Sequence, residues 1–201
     1  WVWCLPTPIG NKTDEFFMNV VETAIPGVMI VEPRVFGDDR GFFMETWQAG
    51  RYLEAGIPAD FVQDNLSKST KGVLRGLHFQ NPNPQGKLVS VMVGSVFDVA
   101  VDIRQGSPTF GQWAGVTLTE DNKKQFYVPE GFAHGFCVLS DTAIFSYKCT
   151  DYYHHESEFS MAWDDPDVGI EWPITDVQLS EKDSAAKCLK DLSADCLPVY
   201  K

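Results

Sequence analysis

Across residues 18–172 the chain is written in short β-branched and aromatic runs: VMIVEPRVF, GFFMET, GVLRGLHF, KLVSVMV, SVFDVAVDI, FGQWAGVTL, KQFYV, AHGFCVL and TAIFSYKCT. Each is cut off by Gly, Pro, Asn or Asp, which is the signature of strands joined by tight turns. Alternation is clearest in the middle, where Phe97, Val99, Val101 and Ile103 share one face and Asp98, Ala100, Asp102 and Arg104 the other. Val93-Gly94-Ser95-Val96 reads as a tight hairpin between two such strands. Helical signal is confined to residues 48–55, closed by Gly56 and Pro58, and to the stretch after Ser180. There Ser180 and Asp183 resemble a weak capping box, and Ala186, Leu189 and Leu192 form a helical stripe. Nine or more strands without strand–helix–strand alternation predict an all-β sandwich or small barrel with short peripheral helices and a C-terminal helical segment. No internal repeat, GxxxxGK, Rossmann fingerprint or GxSxG occurs.

The 201 residues carry 16 basic and 28 acidic side chains, a formal charge of −12. Such a balance argues against nucleic acid and anionic membranes as partners. It also makes a cluster of cations costly unless an anion fills it, so Arg40 in GDDRGFF, Arg75 in LRGLH, Lys87 in QGKLV and Lys182 in LSEKD are candidate anion ligands. Each alone suits a surface ion pair equally well. The five cysteines (Cys4, Cys137, Cys149, Cys188, Cys196) are odd in number and lack CxxC spacing, which argues for a reducing, cytoplasmic setting without a disulfide framework. Residues 1–17 lack alternation and read as a leader or extension of uncertain origin, with a natural start at Met18 and one domain over residues 18–201. The opening WVWCLPTPIG has two prolines and no basic n-region, and it is too short to span a bilayer.

Histidine is scarce and so informative. Of four, His78 in VLRGLHFQ and His134 in VPEGFAHGF are candidate bases near neutrality or hydrogen-bonded structural groups, while His154 and His155 read as a surface loop. Strand periodicity sets Arg75 and His78 on opposite faces unless Gly76 supports a bulge. Metal-binding barrels favour HxH with a nearby Glu. Here LHF offers one histidine, so sequence spacing gives a metal site no direct support. Tyr147 lies in a strand and Tyr153 in a loop. Gln63, Asp64 and Asn65 form a polar run that suits a hydroxylated ligand or a turn.

Ten motifs occur in order over residues 36–183: GDDRGFF, FVQDN, VLRGLHFQ, PQGKL, VFDVAVDIR, SPTFGQW, VPEGFAHGF, YKCTDYY, GIEWP and LSEKD. Together they resemble the dTDP-4-dehydrorhamnose 3,5-epimerases of the cupin superfamily, over residues 18–189. The resemblance implies a cupin-type jelly-roll barrel (double-stranded β-helix) working without metal or organic cofactor, as a homodimer with an exchanged N-terminal strand. It implies a dTDP-linked 4-keto-6-deoxy sugar as substrate, inverted at C3 and C5 on the route to dTDP-L-rhamnose and cell-surface polysaccharide. The family's base falls on His78, its paired carboxylate on Asp183, its tyrosine acid on Tyr147 and a further site tyrosine on Tyr153. Substrate contacts fall on Arg40, Glu45, Gln63, Asp64, Asn65, Arg75, Lys87, His134, Glu158 and Lys182, with the register around Glu158 carried by the least distinctive residues. The chemistry asks for the same parts. A proton alpha to a ketone leaves only if the enolate oxygen is stabilised, for which Lys87 is the first candidate, with His134 and Tyr153 as contributors. Alternatives are an epimerase of C3 or C5 alone, a metal-dependent cupin and a non-catalytic sugar-binding jelly roll. Product stereochemistry, metal content and the intact set of His78, Asp183, Tyr147 and Lys87 separate them.

Overall fold

The computed structural model describes residues 17–58 and 60–200, so the stretch 1–16, with Cys4, lies outside the described residues. The strands are β1 (Met18–Glu22), β2 (Met29–Pro33), β3 (Val35–Asp38), β4 (Gly41–Met44), β5 (Gln63–Thr70), β6 (Leu74–Gln80), β7 (Lys87–Val93), β8 (Ser95–Asp102), β9 (Trp113–Thr119), β10 (Gln125–Val128), β11 (Phe132–Val138), β12 (Thr142–Cys149) and β13 (Glu158–Ser160). The helices are α1 (Ala49–Glu54) and α2 (Glu181–Ser184). A six-stranded sheet runs β1-β2-β10-β7-β12-β5 and a five-stranded sheet β13-β6-β11-β8-β9, with β3–β4 a separate hairpin. From β5 to β13 the chain passes from one sheet to the other at every step except the β8–β9 hairpin. This is jelly-roll winding, and the described strands form two facing sheets rather than one ladder closed all the way round.

Three apolar clusters hold this arrangement. Between the sheets Val89, Val96, Ala100, Leu118, Phe126, Phe136 and Phe145 interdigitate. Outside the five-stranded sheet, Val99, Val101 and Ile103 pack under Met161, Val168, Leu189 and Leu197. Outside the six-stranded sheet, Val31, Leu88 and Tyr127 pack with Tyr52 of α1 and Ile57 just beyond it. The alternation seen in β8 is therefore real, but both of its faces are buried. The apolar face meets the C-terminal segment, and the face carrying Asp98 and Ala100 looks between the sheets. Each fully buried Val, Leu or Ile contributes about 1.5–3 kcal/mol, enough for the C-terminal segment to stay docked without a long helix.

Two expectations need correction. Gly94 does not turn a hairpin, because β7 and β8 lie in different sheets. It carries the chain between them at φ +79°, where a Cβ would meet Thr142 O at 2.1 Å. The C-terminal stripe is not one helix. The Ser180 hydroxyl accepts from Asp183 N at 3.1 Å and α2 ends after one turn; Lys187 then bridges to Met161, and Leu189 N donates to the Asp165 carboxylate at 2.6 Å, so the chain is pinned as a strap with short 3-10 turns. Of the two readings open for Gln63, Asp64 and Asn65, the structure takes the strand: they begin β5, a polar edge strand. Within the chain β1 pairs with β2 at the edge of the six-stranded sheet. By contrast, α1 sits where expected, with Gln48 Oε1 accepting from Arg51 N at 2.7 Å and Gly56 following at φ +84°.

One irregularity positions the site. In the β6–β11 ladder His78 pairs with His134 and Arg75 with Phe136, so three steps on β6 oppose two on β11. The extra residue in β6 reverses its parity, and Arg75 and His78 come to the same face. Gly76, at φ +127°, sits where a Cβ would meet Gly135 Cα at 2.6 Å and His134 O at 2.8 Å. Gly76→Ala should therefore cost about 2–4 kcal/mol through overpacking and a positive φ. A shifted denaturation midpoint checks this, and an unchanged midpoint contradicts it.

Candidate active site

A cleft of about 480 Å3 opens between the two sheets. The five-stranded sheet supplies one wall, with Arg75 and His78 from β6 and His134 from β11. The six-stranded sheet supplies the facing wall, with Ser67 from β5, Lys87 from β7 and Tyr147 from β12. The rim is the segment from Gln178 to Asp183. It is anchored by Leu74 N donating to Gln178 O at 3.0 Å and Gln178 N donating to Gly72 O at 2.8 Å.

His78 is backed by a buried carboxylate. Its Nε2 lies 2.6 Å from Asp183 Oδ1. Burial opposes ionisation of Asp183, but the hydrogen bond and charge of His78, the Ser180 side chain and the Gly76 backbone outweigh it, so its pKa is lowered. Asp183 therefore accepts, Nε2 donates, and Nδ1 is left with the lone pair of a base. On the opposite wall burial raises the Tyr147 phenol above its ordinary value; neighbouring Cys149 and Glu158 reinforce the shift and Arg75 opposes it. Tyr147 is neutral at pH 7, with a proton to give.

Eight of the other expected residues join this pair or its mouth. Arg75 lines the cleft, and its Nε donates to Ser69 Oγ at 3.1 Å. Lys87 lines it half-buried, with burial lowering its pKa against the pull of Cys149, Asp98 and Glu158. His134 lies opposite His78 in the ladder and donates from Nε2 to Asp98 Oδ1 at 2.8 Å. At the mouth Glu158 holds Lys182 at 2.5 Å and accepts from the Tyr153 hydroxyl at 2.9 Å. Gln63 and Asn65 share the less exposed face of β5 with Ser67, and Gln63 Oε1 accepts from Tyr153 N at 2.9 Å.

Three expected contacts are not in this group. Asp64 lies on the outer face of β5, paired with Lys148 at 3.0 Å. Arg40 sits in the β3–β4 hairpin with Asp38 as its ion partner, and Glu45, just after that hairpin, pairs with Arg51 at 2.8 Å; none of the three lines the cleft. Residues the sequence reading did not single out are Asp98, Ser67, Ser69 and Gln178. Asp98 carried a signal, an acid alternating with Val96 and Ala100 on one strand face. The serines carried none, since β5 reads as a polar run. Among the described residues no three His, Cys, Asp or Glu side chains converge as a metal cluster, and no helix is long and apolar enough to cross a membrane.

An acid and a base facing each other across a slot can move a proton from one side of a carbon to the other with no change of oxidation state. Cations at the mouth suit an anionic handle on the same molecule. The class so defined is a jelly-roll isomerase of cupin type that moves a proton across a carbon of an anionic ligand. The family model of dTDP-4-dehydrorhamnose 3,5-epimerase matches residues 22–191. The dTDP-4-dehydrorhamnose 3,5-epimerase of Shigella flexneri is 59% identical over 168 residues, covering 83% of this chain and 93% of that protein. The one from Neisseria gonorrhoeae is 58% identical over 171 residues, 85% of this chain; the match spans only 52% of that longer protein. The crystal structure of dTDP-6-deoxy-D-glucose-3,5-epimerase from Legionella pneumophila in complex with dTDP-4-keto-L-rhamnose superposes with a TM-score of 0.90 at 61% identity, covering 92% of this chain and 99% of that one. The chain belongs to the dTDP-4-dehydrorhamnose 3,5-epimerase family.

Asp183→Asn should lower kcat by about 10²- to 10⁴-fold, because the amide no longer fixes the His78 tautomer. It should also flatten the acid limb of stability. A carboxylate with a lowered folded pKa stabilises fully above its unfolded value, about 3.9, and loses that contribution as pH falls through the folded value. Steady-state kinetics and denaturation at pH 2–6 check both. A variant as pH-sensitive as the parent and as active would contradict the pairing.

Proposed function

We propose that this cleft inverts C3 and C5 of dTDP-4-dehydro-6-deoxy-D-xylo-hexose to give dTDP-4-dehydro-L-rhamnose, for dTDP-L-rhamnose synthesis. His78 is the base and Tyr147 the acid. The observation that carries the reading is that these two side chains come from facing sheets, so a sugar ring between them is flanked on both faces. Nδ1 of His78 takes the proton alpha to C4, the electrons pass into the enolate, and the Tyr147 hydroxyl returns a proton from the other side. Both carbons are alpha to the same carbonyl, so one pair of groups serves both inversions. Lys87 and His134 meet the charge on O4, while Arg75 and Lys182 hold the diphosphate; Lys182 exchanges its Glu158 partner for the stronger anion.

In heavy water, His78→Asn should stop exchange at C3 and C5 altogether. Tyr147→Phe should leave exchange running while inversion fails, because His78 can return deuterium to the face it came from. NMR of the recovered sugar reads both. Inversion in His78→Asn, or equal loss of exchange and inversion in Tyr147→Phe, would overturn the roles, and inversion at one carbon alone in the parent would make the enzyme a monoepimerase.

The working unit in this reading is a homodimer. Arg40 and Glu45, which the resemblance assigns to substrate, lie outside their own cleft, and the hairpin carrying Arg40 exposes Phe42 and Phe43 at 61% and 69%. A partner protomer that buries those rings brings Arg40 to its neighbour's cleft, and the edge strand β1 is free to exchange in the same step. Mixing His78→Asn with Arg40→Ala protein should then regain activity that neither has alone, through mixed dimers with one complete cleft. No recovery after co-refolding would contradict the arrangement.

A further inference from the structure

Asp98 is the polar group most at odds with its surroundings. It is fully buried, on the inner face of β8 between Val96 and Ala100, both members of the apolar core between the sheets. Its Oδ1 accepts from His134 Nε2 at 2.8 Å, and its Oδ2 has no hydrogen-bond partner. A buried carboxylate oxygen left without a donor is costly; burial raises the Asp98 pKa, and the charge and hydrogen bond of His134 and the charge of Lys87 oppose that rise. Across the slot on β7 stands Lys87, which lines the cleft and attracts Asp98 electrostatically. The carboxylate thus stands behind two cationic or proton-bearing groups that line the cleft, one on each wall.

We propose that Asp98 is a positioning residue for the C4 oxyanion, fixing the His134 ring by Nε2 and keeping the Lys87 ammonium charged. This rests on the acid–base reading above and adds to it the group that prepares the oxyanion site. When His78 removes a proton, the C–H electrons form the new C=C bond to C4 and the carbonyl π electrons move to O4. No other bond breaks, and the charge appears beside groups already held in place, which is what makes electrostatic stabilisation effective. The groups around Lys87 are Asp98 on β8, Cys149 and Tyr147 on β12, His134 on β11, His78 and Arg75 on β6, and Glu158 on β13. Burial lowers the Lys87 pKa, while Cys149, Asp98 and Glu158 oppose that fall, so removing Asp98 makes the ammonium lose its proton at lower pH.

Asp98→Asn, of nearly the same shape, is the test. Solvent-deuterium exchange at C3 and C5 should slow together by about 10²-fold, with the ratio of inversion to exchange unchanged. The alkaline limb of the kcat profile should move to lower pH. Affinity for dTDP, which has no keto sugar, should stay as in the parent. Parent-like kcat, or a fall in kcat and dTDP affinity together with the alkaline limb unmoved, would overturn the proposal. Should the variant not fold, 15N-histidine NMR of the intact parent decides. A His134 ring protonated and hydrogen-bonded at Nε2 through the neutral range supports the role, and a bare Nε2 removes it. Exchange that survives in His78→Asn sinks the acid–base assignment, whereas a silent Asp98→Asn sinks only this proposal.

Discussion

The close contact of Gly76 with Gly135 is what the cleft depends on. Two strands of the five-stranded sheet approach there within a distance that admits no Cβ on either residue, since the Cβ of an alanine at 135 would meet Arg75 O at 2.7 Å. The extra residue in β6 turns Arg75 and His78 to one face. Without it, the cation assigned to the diphosphate and the base would stand on opposite sides of the sheet, one in the cleft and the other under the C-terminal strap. The remaining geometry follows from that parity. His78 faces Tyr147 across the slot, and the Gly76 backbone is free to bond the same Asp183 that orients the imidazole.

Charge then decides what the slot accepts. The chain is acidic overall, yet Arg75, Lys87 and Lys182 converge with two histidines on one cleft, and three of these groups are held by a local carboxylate. Asp183 sits behind His78, Asp98 behind His134, and Glu158 against Lys182. The first two carboxylates are buried and fix orientation. The third is at the rim, where an incoming anion can replace it. A small anionic ligand is favoured there while polyanions are repelled by the surface at large.

Much of this was legible in the residues and some was not. Strand-forming runs located most ladders because β-branched and aromatic content does not depend on neighbours, and the conditional bulge at Gly76 was visible as a glycine between two functional side chains. The edge strand β5 was not legible. Gln63, Asn65 and Ser67 line polar space and Asp64, Leu66 and Lys68 face outward, so no apolar period marks it. The hairpin at Gly94 was misread because a tight glycine turn looks the same whether the next strand pairs with its predecessor or crosses to the other sheet. The C-terminal stripe was misread as a helix because Leu189 and Leu192 are spaced for one, while tertiary anchors at Lys187 and Leu189 hold the segment as a strap. Of the site, the family motifs carried His78, Asp183, Tyr147 and Lys87 to one cleft. They also assigned Asp64, Arg40 and Glu45 to the substrate, which the structure puts outside this cleft, since motif order says nothing about which strand face or which protomer a residue serves.

The central claim is spatial: base and acid stand on opposite faces of one sugar ring because they belong to opposing sheets. A crystal structure of this protein with the dTDP-linked 4-keto sugar bound tests it most directly. The account predicts C3 and C5 between His78 Nδ1 and the Tyr147 hydroxyl, with O4 toward Lys87 and His134. A ring with both side chains on the same face, or with O4 turned to the solvent, would contradict it.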